Sequence, residues 1–321
     1  MMSIDRILCP SNLPFEFDET LSYAVSLARA FKAKLIICHC IEAPAFAGFL
    51  TGGGDRSQVR KLLEDSVARH LGSASSSQFR WEVVVVKNGD VGEDIVRTAR
   101  ELCADLIVMR SRRSHLGALL GSKAEQVSRT ASCPLLVVHP KDRSQEARSN
   151  GGIALRHILL PHDFSSSSEL ALSYALSLTQ KFKAELHLLH VLPQQEDDEP
   201  EIALDPAGLE TAYYHAIQRL QASVPEDVYR NCSVINVVRW GKPYREILAY
   251  ARGQDIELVC MGALGKDFGL GSLFGSNVDR VLRQAPCPVL VARPLQSSSV
   301  TLMDHKIGRP YLTKTLFSWL A

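Results

Sequence analysis

The sequence predicts an α/β fold made of two tandem doubly wound domains, each a parallel sheet flanked by helices. Three observations carry this. The first is an internal repeat, which marks a chain built from one unit used twice. Leu21–Leu35 reads LSYAVSLARAFKAKL and Leu172–Leu186 reads LSYALSLTQKFKAEL, with 10 of 15 positions identical at an offset of 151. The second is the rhythm within each unit, where short apolar strands alternate with helical segments, the pattern of a sheet covered on both faces. The third is a polar stretch, Lys141–Gly152, carrying Asn150-Gly151-Gly152 and suited to a linker.

The repeat holds over a whole domain. Arg6-Ile7-Leu8-Cys9-Pro10 answers His157-Ile158-Leu159-Leu160-Pro161, and His39 answers His190, all at offset 151. Gly89 and Met109 answer Gly241 and Met261 at offset 152, and Cys133-Pro134-Leu135-Leu136-Val137 answers Cys287-Pro288-Val289-Leu290-Val291 at offset 154. Residues 1–145 and 152–295 are therefore read as two domains, with 296–321 as a tail. In the second unit the strands fall at His157–Leu160, Leu186–Leu192, Cys232–Val238, Leu258–Met261 and Val289–Ala292. Helices fall at 165–178, Leu209–Leu220, Tyr244–Arg252 and Gly275–Arg283, the first with Ser166-x-x-Glu169 as its capping box. In the tail, Leu312, Leu316, Trp319 and Leu320 recur at helical spacing, which fits a short docking helix as well as a frayed end.

Composition excludes several function classes. The chain has 321 residues, with 36 Lys+Arg against 35 Asp+Glu, so charge gives no argument for nucleic acid or an anionic membrane. Apolar runs have strand length, none spans a bilayer, and residues 1–8 read as the approach to a strand rather than a signal peptide. Cys9, Cys38, Cys40, Cys260 and Cys287 sit in or beside apolar strand patterns, as expected for reduced, packed thiols in the cytoplasm.

The chemistry-bearing segment lies in the second unit. Met261-Gly262-Ala263-Leu264-Gly265 is followed nine residues later by Gly275-Ser276, giving G-x2-G-x9-G-S between a buried strand and a helix. The carboxyl edge of an open α/β sheet is where such a fold takes ligands. Glycine lets backbone N–H groups approach phosphate oxygens and permits positive φ. A helix start adds free donors and the positive dipole end. No Walker segment and no dinucleotide fingerprint occurs. Pro161-His162-Asp163 closes the first strand of this unit on the same edge, and Val191 closes the second. Asp163 suits a sugar hydroxyl or base amino group, and equally a turn before the helix.

These segments resemble the universal stress protein family: I-L-L-P-x-D at 158–163, L-H-V at 189–191, G-K-P at 241–243, M-G-x2-G-x9-G-S from Met261, and C-P-V-L-V at 287–291. The resemblance covers about residues 4–140 and 155–294. It implies five-stranded parallel sheets in order 3-2-1-4-5, pairing through the last strand, and ATP, with or without Mg²⁺, where the glycine pattern is kept. It implies Asp163 on the ribose or base and Val191 on the adenine. Met261, Gly262, Gly265, Gly275, Ser276 and Asn277 would wrap ribose and phosphates, with Pro161 and His162 beside them. A tandem chain would supply its own pairing partner.

The first unit departs from this pattern. Arg110 and Arg113 replace Gly262 and Gly265, Asn12 replaces Asp163, Cys40 replaces Val191, and Arg113–Gly121 is two residues shorter than its counterpart. Only Gly121-Ser122 remains, so the unit reads as kept for fold and pairing, with another anion on Arg110, Arg112 and Arg113 as the alternative. Thr51-Gly52-Gly53-Gly54 and the charged run Glu196–Glu199 read as loops. Cys38-His39-Cys40 and His187-x-x-His190 invite a metal, but strand alternation turns His39 away from the cysteines and His187 away from His190, so no metal ligands are assigned. No catalytic set can be defended. The resulting expectation is an ATP-binding regulatory stress protein with one competent site. A slow ATP hydrolase or nucleotide transferase, and a scaffold with vestigial sites, are the alternatives.

Overall fold

A computed structural model describes residues 3–11, 19–41, 56–71, 80–87, 89–111, 122–139, 153, 155–193, 206–263 and 275–294. The first unit runs β1 (Arg6–Ser11), α1 (Glu19–Phe31), β2 (Lys34–Ile41), α2 (Arg56–Leu71), β3 (Trp81–Lys87), α3 (Val91–Glu101), β4 (Leu106–Arg110), α4 (Ser122–Thr130) and β5 (Leu135–Val138). The second runs β6 (His157–Pro161), α5 (Ser166–Phe182), β7 (Glu185–Leu192), α6 (Pro206–Ser223), α7 (Glu226–Asn231), β8 (Ser233–Trp240), α8 (Pro243–Gly253), β9 (Leu258–Gly262), α9 (Ser276–Gln284) and β10 (Val289–Ala292).

One sheet contains all ten strands, in the order β3-β2-β1-β4-β5-β10-β9-β6-β7-β8. Each unit thus has the order 3-2-1-4-5, with parallel pairing inside it. The units meet through an antiparallel seam, Val289 opposite Val137, Leu290 opposite Leu136 and Val291 opposite Leu135. Pairing the last strands removes two exposed sheet edges that would otherwise template association. Arg293 reinforces the seam, donating from its guanidinium to the carbonyls of Ala131 and Ser128 at the end of α4.

The continuous apolar strands are explained by burial on both faces. Ile158 and Leu160 pack into one core layer with α1 and α5, while Leu159 points to the other with α3, α8 and α9. The repeat extends to backbone strain. Lys32 and Lys183 both end their helices at positive φ, 57° and 55°, and Gly89 and Gly241 take φ 136° and 145° ahead of α3 and α8. Only glycine adopts the last conformation cheaply.

Two sequence expectations change. The cap of α5 is Ser165, one residue before the predicted box, and its hydroxyl accepts from Ser168 N–H at 3.2 Å. With Ser165 as the cap, the third helical position falls on Ser168 rather than Glu169, and the Ser165 N–H is taken by the Asp163 carboxylate at 3.0 Å. The short helix α7 was not foreseen; Val228 is its buried anchor, and its six residues are too few for periodicity to register. The predicted linker, the C-terminal tail, the Thr51–Gly54 cluster and the Glu196–Glu199 run lie outside the described residues.

Candidate functional site

The site forms where β6 and β9 lie side by side in the sheet. Chain order reverses here, and the helices that follow the two strands leave to opposite faces: α5 packs with α1's layer and α9 with α8's. The carboxyl ends of β6 and β9 therefore open a crevice.

Four features converge on it. Met261 and Gly262 end β9, with Met261 buried in the α9-side core. Gly275 returns to the same place, because its N–H donates to the carbonyl of Ala263 at 3.2 Å. Gly275 is also the cap of α9 and, lacking a side chain, leaves that terminus without a side-chain hydrogen bond, unlike Ser165 on α5 or Asp90 on α3. The first turn of α9, with Ser276 exposed and Asn277 half-buried, thus presents its backbone donors at the crevice.

Pro161, His162 and Asp163 continue β6 into the crevice. His162 is buried; its Nδ1 accepts from the Phe164 N–H at 3.2 Å, and its Nε2 lies 3.3 Å from Glu169. Partial burial raises the Glu169 carboxyl above its ordinary range. Asp163 accepts from both the N–H and the hydroxyl of Ser165, at 3.0 and 2.6 Å, so the turn role weighed from sequence is realised. Val191 is half-buried at the end of β7 and packs against the α8/α9 core layer. Gly265 lies outside the described residues.

The glycines differ in what they do. Gly262 and Gly275 are not among the positive-φ residues, so conformational freedom is not what either position needs. At Gly262 a Cβ would overlap the backbone carbonyl and hydroxyl of Ser167 in the first turn of α5. Glycine there allows close helix–strand packing. At Gly275 the backbone has φ −61°, open to any residue.

Sequence reasoning missed His190, assigned to packing. Its Nδ1–H donates to the His162 carbonyl at 2.7 Å, and His39 does the same to the Ser11 carbonyl at 2.9 Å. Each histidine clamps the end of its unit's first strand. The repetition at one offset was the available signal. His187 faces away from His190, as strand alternation requires, and bonds Tyr250 instead.

The equivalent edge of the first unit is built differently. Arg110 is exposed at the end of β4, and next to it the buried Ser111 hydroxyl lies 2.5 Å from Nδ1 of the buried His139. Cys40, in Val191's place, lies with its sulfur 3.9 Å from that of Cys38. The hydrogen bond between the thiols pulls the Cys40 thiol down and, together with burial, pushes Cys38 up. Arg112, Arg113, Gly121 and Asn12 lie outside the described residues, as does the side chain of Ser122.

Comparison with known proteins gives a consistent family. The Universal stress protein family matches twice, at residues 3–139 and 154–293. A universal stress protein of Mycobacterium tuberculosis is 29% identical over 177 residues, 55% of this chain and 57% of the relative, so the chain spans little more than half of that relative's length. One from Mycolicibacterium smegmatis is 29% identical over 239 residues, 74% of this chain and 75% of the relative. Among solved structures, a universal stress protein from Archaeoglobus fulgidus aligns with TM-score 0.63 at 20% identity, covering 90% of this chain and 98% of that one. A functionally unknown protein from Pseudomonas aeruginosa aligns with TM-score 0.66 at 18% identity, covering 91% and 93%. These likenesses establish the fold.

Proposed function

Because this chain belongs to the universal stress protein family, we propose that it is a regulatory protein that binds one ATP, in its second unit. The observation that carries this is the side-chain-free start of α9, held against the end of β9 by the Gly275–Ala263 hydrogen bond. Backbone donors and the helix dipole meet an anion there without a competing cap. Ser276 and Asn277 supply further donors to the phosphates, and Gly265 completes the loop. Val191 and Met261 offer an apolar wall for the base. Asp163, with Pro161 and His162, edges the crevice on the sugar side. Its carboxylate reaches the ribose while one oxygen holds the Ser165 turn.

The first unit serves the fold and the seam. Arg110 occupies the position of Gly262, where a side chain in the second unit would meet Ser167. Regulation is favoured over hydrolysis because Asp163 is shared between the Ser165 turn, held through Oδ1, and the ribose in this reading, which leaves it no role as a base. Any Mg²⁺ would come with the nucleotide. We place the protein in the cytoplasm, in keeping with six buried, unbridged cysteines: Cys9, Cys38, Cys40, Cys133, Cys260 and Cys287. Its physiological partners would read the nucleotide state, alone or as a homodimer.

Calorimetry on nucleotide-free full-length protein tests the reading, with ATP, ADP and cyclic AMP titrated separately. We expect one ATP per chain, lost in Gly275→Val. Absence of saturable ATP binding overturns the proposal, and two ATP per chain overturns its asymmetry. Mass spectrometry of ligand released from gently purified protein gives the stoichiometry independently.

A further inference from the structure

The amino-terminal edge of the second unit's sheet, opposite the nucleotide crevice, carries a cluster that the function above does not use. His157 opens β6, and Glu185 opens β7 directly beside it in register. His187 lies two residues along β7 and so projects to the same face as Glu185. His187 Nε2 is 3.2 Å from Glu185 Oε1 and 3.4 Å from His157 Nδ1, and His157 Nδ1 is 3.6 Å from the same Glu185 oxygen. Three donor atoms of metal-binding type thus face one another in a nearly equilateral triangle.

We propose that His157, Glu185 and His187 form a zinc site. Zinc binds imidazole nitrogen and carboxylate oxygen at about 2.1 Å, and a tetrahedron with arms of that length separates its ligand atoms by about 3.4 Å. The observed separations bracket that value. Hydrogen bonding alone would need an N–H from each imidazole to converge on one Glu185 oxygen with the two donors facing each other, whereas one cation satisfies all three atoms together. Two imidazoles and a carboxylate suit a borderline cation, neither as soft as a thiolate-seeking ion nor as hard as Mg²⁺.

The surrounding contacts orient the ligands as metal sites require. His187 Nδ1 lies 2.8 Å from the Tyr250 hydroxyl, in a buried contact. With the proton on Nδ1 donated to that oxygen, the Nε2 lone pair is directed into the triangle. The second carboxylate oxygen of Glu185 accepts from the Ser233 hydroxyl at 2.7 Å. The His157 backbone N–H donates to Glu257 at 3.1 Å, which fixes the start of β6. His187 is 3% exposed at its side chain, but His157 and Glu185 are 38% and 30% exposed, so the fourth coordination position faces solvent and takes water. The site belongs to one unit only. At the same offset of 151 the first unit has Arg6, Lys34 and Ile36, which cannot bind a cation.

The test uses chelator-treated full-length protein and zinc, followed by competition with a chromophoric chelator, and cobalt as a spectroscopic probe. We expect one zinc per chain, with cobalt giving a tetrahedral spectrum free of thiolate charge-transfer bands. His157→Ala and the isosteric Glu185→Gln should each weaken zinc at least tenfold while the metal-free unfolding midpoint stays near wild type. Ser233→Ala should weaken it about 10-fold through the carboxylate it holds. ATP affinity should be unchanged by zinc, which separates this site from the nucleotide reading. No saturable zinc binding, equal binding in Glu185→Gln, or a thiolate spectrum that disappears on cysteine alkylation would each overturn the assignment.

Discussion

Exchanging single glycines for alanine separates packing from ligand approach in the loop of the second unit. In Gly262→Ala the new methyl would meet the Ser167 carbonyl carbon and oxygen, which are backbone of α5 and cannot rotate away. Either β9 or the first turn of α5 must move. Overpacking of this kind costs about 1–3 kcal/mol. At roughly 2–4 °C per kcal/mol for a folding unit of this size, the unfolding midpoint falls by about 2–12 °C. In Gly275→Ala the backbone already has φ −61°, and the main penalty is a poorer helix cap. That penalty is at most about 1 kcal/mol. Its midpoint should therefore stay within about 4 °C of wild type, while ATP affinity falls at least tenfold because the methyl intrudes where phosphate approaches. Differential scanning calorimetry reads the first quantity and isothermal titration the second. A wild-type midpoint for Gly262→Ala refutes the packing argument. Wild-type ATP affinity for Gly275→Ala refutes the role given to the start of α9.

Three further outcomes are expected. His190→Phe removes the donor to the His162 carbonyl and should lower stability by about 1–3 kcal/mol in urea titration; an unchanged midpoint would show that the clamp is dispensable. Arg293→Ala should cost on the order of 2–3 kcal/mol, because two carbonyls at the end of α4 lose a charged donor from across the seam; a loss under about 0.5 kcal/mol would place the seam's strength in the strand pairing alone. With an alkylating reagent at pH 8, peptide mapping should show the exposed Cys103 labelled well ahead of Cys133 and Cys260, since burial pushes the Cys133 thiol up to about 12 and raises Cys260 as well; rapid labelling of Cys133 would contradict its buried setting.

The fold was legible because its signals are local or repeated. The strand Val289–Ala292 was placed residue for residue, since a short apolar run between Cys287-Pro288 and Arg293 has no other way to bury both faces. The site was legible only as a set of positions. Of the reasons the sequence offers for Gly262, freedom for positive φ does not apply, and the packing demand from Ser167, far away along the chain and adjacent only through packing of α5 on β9, was not legible. The capping box failed by one residue: the cap is Ser165, whose N–H is held by Asp163, so the third position falls on Ser168 instead of Glu169. His187 shows the limit most clearly. Searched along its own strand it finds His190 on the wrong face, whereas its partner His157 is 30 residues away on the neighbouring strand.

The two units have diverged where the fold leaves them free to do so. The segments Cys133–Val137 and Cys287–Val291 remain nearly alike, and they form the antiparallel seam. A strand buried on both faces and paired on both edges accepts few side chains, so the seam restrains both copies equally. Two residues beyond it the restraint ends. At offset 154, His139 turns to Ser111 within its own unit, while Arg293 reaches across to the other. At the crevice Arg110 stands for Gly262, and at the opposite edge Arg6 and Lys34 stand for His157 and Glu185. On the two proposals above, the second unit would take an anion at one edge of its sheet and a cation at the other. Because β6 and β7 run between the two edges, a ligand on either would stabilise the same folded unit. Stabilisation by each should therefore add independently unless binding also moves the strands.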